Sequence, residues 1–447
     1  MKVLILGAGE VGFHLAKRLS QETQDVILIE SDSDRAEFVS QQLDVLTIVG
    51  NGASLPVLEE AGIADAGMLL AVTSKDEVNL VASMTAKGLG VKHAVARISN
   101  PEYYGEGSAL SREQMGIDLM INPERECARE IFDLLSSGIA TDVVPLSGGR
   151  IRLIGLRVKA GALVEGRSLE RLAAELEGHH YVTVAIVRNG KTEIPRATSV
   201  IRAGDQVYLL SPTAEIGDLA PLAGYEPSVL RRVMIAGGST EGEHLAQMLE
   251  RQGVECTILD HDRRRCIELA EHLPRALVLH GDATDVDLLE MEGVDGIDGF
   301  VAATARDETN LLASLLAKTG GARKVVSLVH KFEYLRLVPR VGIDASVSPR
   351  MSVVNAVLRY IRRGKVVAVA NLTGIEAEAI EFTVEPESLI AGHKLKETHF
   401  PKDAIIGSIF RGNDMILPGG DDRILVGDDV IVFALPSAIP EVEKLFA

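Results

Sequence analysis

The stretch ILGAGEVGFHLA, residues 5–16, decides the fold. An apolar run stops at Gly7, glycines follow in the pattern G-x-G-x-x-G at Gly7, Gly9 and Gly12, and an amphipathic stretch begins. In a strand-to-helix turn each glycine has its own reason. Gly7 permits the tight bend, Gly9 lets a pyrophosphate approach the backbone, and Gly12 allows helix and strand to pack closely. The helix N-terminus then offers free N–H groups and the positive end of a dipole to phosphate.

Much further along, residues 235–246 read IAGGSTEGEHLA, which is nearly the same turn. The correspondence continues outward in one order. VILIESDSDR is matched by CTILDHDRRR, so that Glu30 faces Asp260; VGNGASLPVLEEAGI is matched by LHGDATDVDLLEMEGV; AVTSKDEVNLVAS is matched by AATARDETNLLAS; ISNPEYY is matched by VHKFEYL. The chain is a duplication, and the repeat fixes its architecture.

Within the first copy the pattern predicts a strand over Val3–Leu6, a helix over Gly12–Leu19, a strand over Val26–Glu30 and a helix over Asp34–Gln42. Short apolar strands alternating with helices imply parallel strands joined by crossovers. Each copy is therefore expected to be an α/β, Rossmann-like doubly wound parallel-sheet domain. It closes on a further helix: Asn122 caps and Pro123 begins one whose apolar side is Cys127, Ile131, Leu134 and Leu135, and Ser348 with Pro349 do the same for Val353, Val354, Val357, Leu358 and Ile361, before Gly364. Such a helix needs a surface to cover, either across a dimer or on its own domain. Alternating strands follow, with Asn189-Gly190 as a type I′ hairpin turn in YVTVAIVRNGKTEIP and AIIGSIFRGNDMILP as its counterpart. Gly-Asp turns and a strand come next, from Ala203 and from Val426. The expected division is four domains, 1–140, 141–227, 228–364 and 365–447, each Rossmann-like unit followed by a small α+β domain, with a linker around Gly224 to Pro227.

Bulk properties narrow the function. A net charge of -18 would repel a polyphosphate backbone, and no basic tract offsets it, so nucleic acid is not expected as a partner. Cys127, Cys256 and Cys266 lack metal-type spacing and read as reduced thiols of a cytosolic protein. No run is long and apolar enough to span a bilayer, so a membrane role has to come through a partner.

Glu30, ending the second strand, is placed to accept from ribose hydroxyls, and its charge favours NAD-type or adenosine ligands over NADP. Asn51, Thr73 and Ser74 fall at the C-terminal edge of the expected sheet, where ligands of open α/β sheets bind. Asp76, Glu77 and Asn79 read as helix-start residues, and Arg97 as a cation near the phosphates. In the second copy Ser239 replaces Gly9 and Leu328 replaces Arg97, while Asp260 is kept. That site is expected to be altered, binding a smaller or different nucleotide or binding weakly.

GAGEVG, GNGASLPVLEEAGI, VTSKDEVN and ARISNPEYY in the first half, with GDATDVDLLE and TARDETN in the second, resemble the TrkA family, the cytosolic peripheral subunits of bacterial Trk potassium-uptake systems. The family is built from two tandem RCK (KTN) units, each a Rossmann domain plus a small C-terminal domain of the TrkA-C (RCK-C) type. The resemblance implies NAD(H) and ATP/ADP as ligands, a homotetrameric ring, and a membrane potassium channel subunit of the TrkH type as partner. Carried over by position, it implies a first site of Gly7, Ala8, Gly9, Glu10, Val11, Glu30, Thr73, Ser74 and Arg97. The second comprises Gly237, Gly238, Ser239, Thr240, Glu241 and Asp260. Asn51 departs from the Asp usual there, which the second half has at Asp282.

The competing reading is an NAD-dependent oxidoreductase. That chemistry needs a domain placing an acid or base against the nicotinamide. The small domains offer only short strands, and His179 and His180 read as surface residues. A DNA-binding redox repressor fails on charge and on the lack of a basic helix-turn-helix pattern.

Overall fold

The run KVLIL forms strand β1 (Lys2–Leu6), and its last four residues are wholly buried. Unbroken apolar runs of this kind belong to parallel strands covered on both faces. After the glycine turn come α1 (Glu10–Gln21), β2 (Asp25–Glu30), α2 (Ser33–Gln42), β3 (Leu46–Val49), α3 (Leu55–Glu60), β4 (Met68–Ala71), α4 (Asp76–Gly88), β5 (His93–Arg97), β6 (Leu119–Ile121) and α5 (Pro123–Ser136). The strands lie in the order β3-β2-β1-β4-β5-β6, with every neighbouring pair parallel. This computed structural model describes all residues except 22–24, 104–110, 113, 139, 177–179, 214, 216–218, 226–228, 336, 362–365, 372–376, 413 and 447. His179, Pro227 and Gly364 thus lie outside the described residues.

A small antiparallel sheet follows, built from β7 (Asp142–Leu146), β8 (Ile151–Arg157), β9 (Val182–Arg188), β10 (Lys191–Glu193) and β11 (Gln206–Pro212), with α6 (Leu169–Glu175) between β8 and β9. The turn joining β9 to β10 has φ of 52° at Asn189 and 75° at Gly190, the two positive values that a type I′ turn requires.

The second copy repeats the plan as β12 (Arg232–Ala236), α7 (Thr240–Arg251), β13 (Glu255–Asp260), α8 (Arg263–His272), β14 (Leu277–His280), α9 (Val286–Met291), β15 (Gly299–Ala302), α10 (Asp307–Thr319), β16 (Lys324–Leu328), α11 (Phe332–Leu335), β17 (Ala345–Val347) and α12 (Pro349–Ile361). Its order, β14-β13-β12-β15-β16-β17, is that of the first sheet. The last sheet contains β18 (Val366–Asn371), β19 (Glu378–Thr383), β20 (Ala404–Arg411), β21 (Asp414–Ile416) and β22 (Asp429–Ala434), and α13 (Ile439–Phe446) closes the chain. Both Gly-Asp turns are tied alike: buried Asp205 binds Arg188 at 2.7 Å and buried Asp428 binds Arg411 at 2.9 Å.

Two compact units result. The first is Met1–Cys127 with Ser348–Tyr360; the second is Ala128–Val347 with Ile361–Ala447. The first Rossmann sheet therefore shares its unit with α12, which comes from the second half. There the Tyr360 hydroxyl meets Nδ1 of His93 at 3.1 Å. The second Rossmann sheet shares its unit with most of α5, from the first half, and with both small sheets. A Cβ on Gly299 of β15 would lie 2.7 Å from Leu135, so that glycine makes room for α5. Cys127, Ile131, Leu134 and Leu135 are all buried, and burial stabilises by roughly 1.5–3 kcal/mol per large aliphatic side chain. Neither surface expected for these helices, a second chain or their own domain, is the one observed.

The end of α5 is fixed by Lys324 of β16. This lysine is buried, and its Nζ donates to the carbonyl of Leu134 and, at 2.7 Å, to that of Ala140. A cation here answers the C-terminal carbonyls that the helix leaves without partners. Burial pulls its pKa down to about 7, although Asp344 and Asp142 pull the other way. In the same unit the two small sheets share one core, with Leu153, Val184, Tyr208 and Leu210 from the first sheet against Ala379, Phe410, Ile431 and Phe433 from the last.

Two local expectations change. Helix α1 starts at Glu10, before Gly12, because the turn is complete once Gly7 has bent the chain. Asn122 does cap α5, accepting from the Arg125 N–H at 2.7 Å, but among the described residues the Ser348 hydroxyl has no hydrogen-bond partner, so α12 lacks that cap. All three cysteines are buried free thiols, and burial with the Glu250 charge pushes Cys256 up to about 12.

Candidate functional site

The first glycine turn lies where β1 and β4 adjoin, the point at which the strand order reverses. Gly7 has φ +96°, and a Cβ on it would lie 3.1 Å from Thr73 Cα, so the turn and the end of β4 are in contact. A Cβ on Gly12 would stand 1.8 Å from the Gly7 carbonyl oxygen. At Gly9 a Cβ would meet nothing within 4 Å. Gly7 and Gly12 are thus required by the protein's own packing, whereas Gly9 borders open space. Among the described residues, no hydrogen-bond partner serves the N–H groups of Gly9, Glu10, Val11 or Gly12. They are the orphan donors of a helix start. Ala8 and Val11 are buried and serve packing.

Glu30 shapes this loop. Its Oε2 accepts from the Ala8 N–H at 2.6 Å, and its Oε1 from the N–H groups of Ser31 at 2.6 Å and Asp32 at 3.0 Å. Burial raises the carboxyl pKa, but these hydrogen bonds outweigh it and hold the group below its ordinary value. Oε1 also accepts from the Ser31 hydroxyl at 3.0 Å and is filled; among the described residues Oε2 accepts from Ala8 alone, so capacity for a ribose hydroxyl is left there. Arg35 closes the loop from the other side: its Nε donates to the Ala8 carbonyl at 2.7 Å, and its guanidinium lies 5.0 Å from the Phe38 ring centre and 6.0 Å from that of Phe13.

Asn79, wholly buried, joins the ends of β4 and β5. Its Oδ1 accepts from the N–H and hydroxyl of Thr73, and its Nδ2 donates to the carbonyls of Thr73 at 3.0 Å and Arg97 at 2.8 Å. It is a positioning residue rather than a simple helix starter. Asn310 makes the same four bonds to Thr304 and Leu328 in the second copy, so the signal was the matched Asn in both halves. Ser74 is exposed. Arg97 is partly exposed, and among the described residues its side chain has no hydrogen-bond or ion-pair partner. Asn51 is exposed and turned inward on its own loop, with Oδ1 accepting from the Ala53 N–H at 3.0 Å. Asp282 does likewise for Thr284 at 2.8 Å.

The second turn keeps the frame and changes the surface. Gly237 has φ +113°, and a Cβ on Gly242 would lie 2.4 Å from the Gly237 carbonyl oxygen. Asp260 accepts from the Gly238 N–H at 2.6 Å, as Glu30 does from Ala8. Ser239 has become the N-cap of α7, and its hydroxyl takes the Gly242 N–H at 3.2 Å. One donor that a phosphate could use is thus occupied by the chain itself. Thr240 and Glu241 form the first turn of α7. Arg265 donates to the Gly238 carbonyl at 2.6 Å and is held by Glu243 at 2.6 Å. Burial raises Glu243, but Arg265 and His272 bring its pKa below the ordinary value. Leu328 is buried and provides no cation.

Two parallel sheets of Rossmann order, each with a glycine turn at the reversal point and each followed by a small antiparallel sheet, define a tandem RCK-class protein. The TrkA-N domain family matches residues 3–123 and 233–349, and the TrkA-C domain family matches 153–224 and 379–447. The Trk system potassium uptake protein TrkA homolog 2 of Methanosarcina mazei is 39% identical, and the TrkA homolog of Archaeoglobus fulgidus 38% identical, each over 100% of both chains. The chain belongs to the TrkA family. Its fold is shared by a structure titled "GsuK channel bound to NAD", at a TM-score of 0.61 and 18% identity over 100% of this chain and 78% of that one. Among the described residues no helix is long and apolar enough to cross a membrane.

Proposed function

We propose that the chain is a peripheral regulatory subunit of a potassium-uptake system. In this reading it binds NAD(H) and ATP/ADP and controls a membrane potassium channel subunit of the TrkH type. The phosphates lie on the N–H groups at Gly9 to Gly12, Glu30 meets the ribose, and Thr73, Ser74 and Arg97 line the phosphate side. The observation that carries the reading is the open space at Gly9 beside donors and an Arg97 side chain that have no partner among the described residues. Gly237, Gly238, Ser239, Thr240, Glu241 and Asp260 form a second, weaker site, because Ser239 consumes a donor and Leu328 supplies no charge. The chain works as a homotetramer on the cytoplasmic face, with domains 1–140, 141–227, 228–364 and 365–447. Nucleotides act by binding one gate state better than another, and that difference sets the limit of their effect. They are not consumed, and the protein is not an enzyme.

Calorimetric titration of ATP, ADP, NAD and NADH tests this, with Gly9→Val as control. That variant fits the apo fold, because the space is open, and is expected to lose the tightest event. Steady NADH oxidation abolished by Gly9→Val would instead establish the oxidoreductase reading.

A further inference from the structure

The first residue of α1, Glu10, sits directly after Gly9, with its carboxylate at the positive end of the helix. An anion arriving at the Gly9 to Gly12 donors meets this charge. Its counter-ion is Arg350, the second residue of α12, whose guanidinium forms an ion pair with the Glu10 carboxylate. Arg350 comes from the second half of the sequence yet lies in the same compact unit as the first glycine turn. The other end of α12 is tied by Tyr360 to His93, at the opposite end of the strands. The helix therefore runs from the glycine-turn end of the sheet to its far end, with Arg350 at the turn.

The pair is only partly buried. The two side chains are 38% and 40% exposed, and ion pairs at such exposure contribute little to stability. A guanidinium on a phosphate group forms shorter, bidentate, charge-assisted bonds. A polyphosphate near Glu10 thus competes well for Arg350. The arrangement is not repeated: the residue matching Glu10 in the second turn is Thr240, and the residue matching Arg350 at the start of α5 is Glu124.

We propose that Arg350 is a phosphate-binding residue of the first site, supplied by the second half, and that it leaves Glu10 for the phosphate chain of a bound adenine nucleotide. The inference rests on nucleotide binding at the first turn. Occupancy of the site then acts directly on α12, and through it on the rest of the second half.

The test is calorimetry with ATP on the full chain at fixed salt, comparing wild type with Arg350→Gln, Glu10→Gln and the double variant. Arg350→Gln is expected to weaken ATP about ten- to hundredfold. Glu10→Gln is expected to tighten it severalfold by removing the competitor. The double variant separates direct contact from charge neutralisation. It stays weak if Arg350 touches phosphate, and it returns to wild-type affinity if Arg350 merely screens Glu10, which would overturn the proposal. Arg350→Lys keeps the charge without the planar fork and is expected to fall between; it supplies the reading if Arg350→Gln fails to fold. ATP binding that survives Gly9→Val overturns the site itself. Binding lost in Gly9→Val but unchanged in Arg350→Gln overturns only the role of Arg350.

Discussion

Replacing Lys324 by Met changes how stability depends on pH, and the slope follows from the surroundings of one buried amine. In the folded chain its pKa falls from 10.5 to about 7, which corresponds to about 5 kcal/mol at roughly 1.36 kcal/mol per pH unit. Between these values the unfolded chain binds the extra proton, so the lysine makes stability rise with pH by up to ~1.36 kcal/mol per unit. Below pH 7 both states are charged and the full cost is present. Met cannot titrate and is close in shape, but it leaves the Leu134 and Ala140 carbonyls without their donor, a pH-independent loss of roughly 1–3 kcal/mol. The readout is therefore the slope and not the offset. Melting of both proteins from pH 6.5 to 9.5, followed by a probe in Ala128–Val347, is expected to show wild type gaining on Lys324→Met as pH rises. Parallel curves, or a gain in the opposite direction, would refute the assignment of a displaced amine at the end of α5.

Gly12→Ala is expected to destabilise the first unit severely, since its Cβ would stand 1.8 Å from the Gly7 oxygen, whereas Gly9→Ala should melt within a few degrees of wild type. Circular dichroism melts compare them directly. Arg97→Ala is expected to weaken ATP by roughly 10- to 100-fold, the loss of a charge-assisted contact worth about 1.5–3 kcal/mol, while Ser239→Val leaves the tightest event intact. Calorimetry giving the reverse order would move the principal site to the second half. Light scattering at micromolar concentration should report four chains, and a strictly monomeric protein would contradict the ring.

What the sequence discloses are features encoded within a few neighbouring residues. The glycine turn, the strand runs, the Asn189-Gly190 hairpin and the Asn122-Pro123 helix start depend on local backbone needs, and the duplication states the glycine turn and the strand runs twice. The surface covered by an exit helix is a different matter. Cys127, Ile131, Leu134 and Leu135 announce a buried face, but nothing in their spacing names Gly299 as the neighbour of Leu135. Asn79 was hidden for a similar reason: a helix-start Asn and an Asn joining two strand ends look identical until the strands lie side by side. The pair formed by Glu10 and Arg350 spans most of the chain, and no periodicity reports it. In the sequence Ser239 is only a side chain standing where the first copy has Gly9. That it also caps α7 became visible only with the Gly242 N–H beside it.

The crossing of α5 and α12 has a consequence for how this protein can change over time. In an assembly of two identical chains every substitution appears twice, so a site cannot be lost on one side and kept on the other. Here the helix that completes each Rossmann sheet is encoded in the opposite half of a single chain, and the two copies are free to drift apart. Ser239 and Leu328 record that drift in one copy while Gly9 and Arg97 stand in the other. The same crossing makes the gene indivisible: expressed separately, each half would carry the piece that finishes its twin and lack its own.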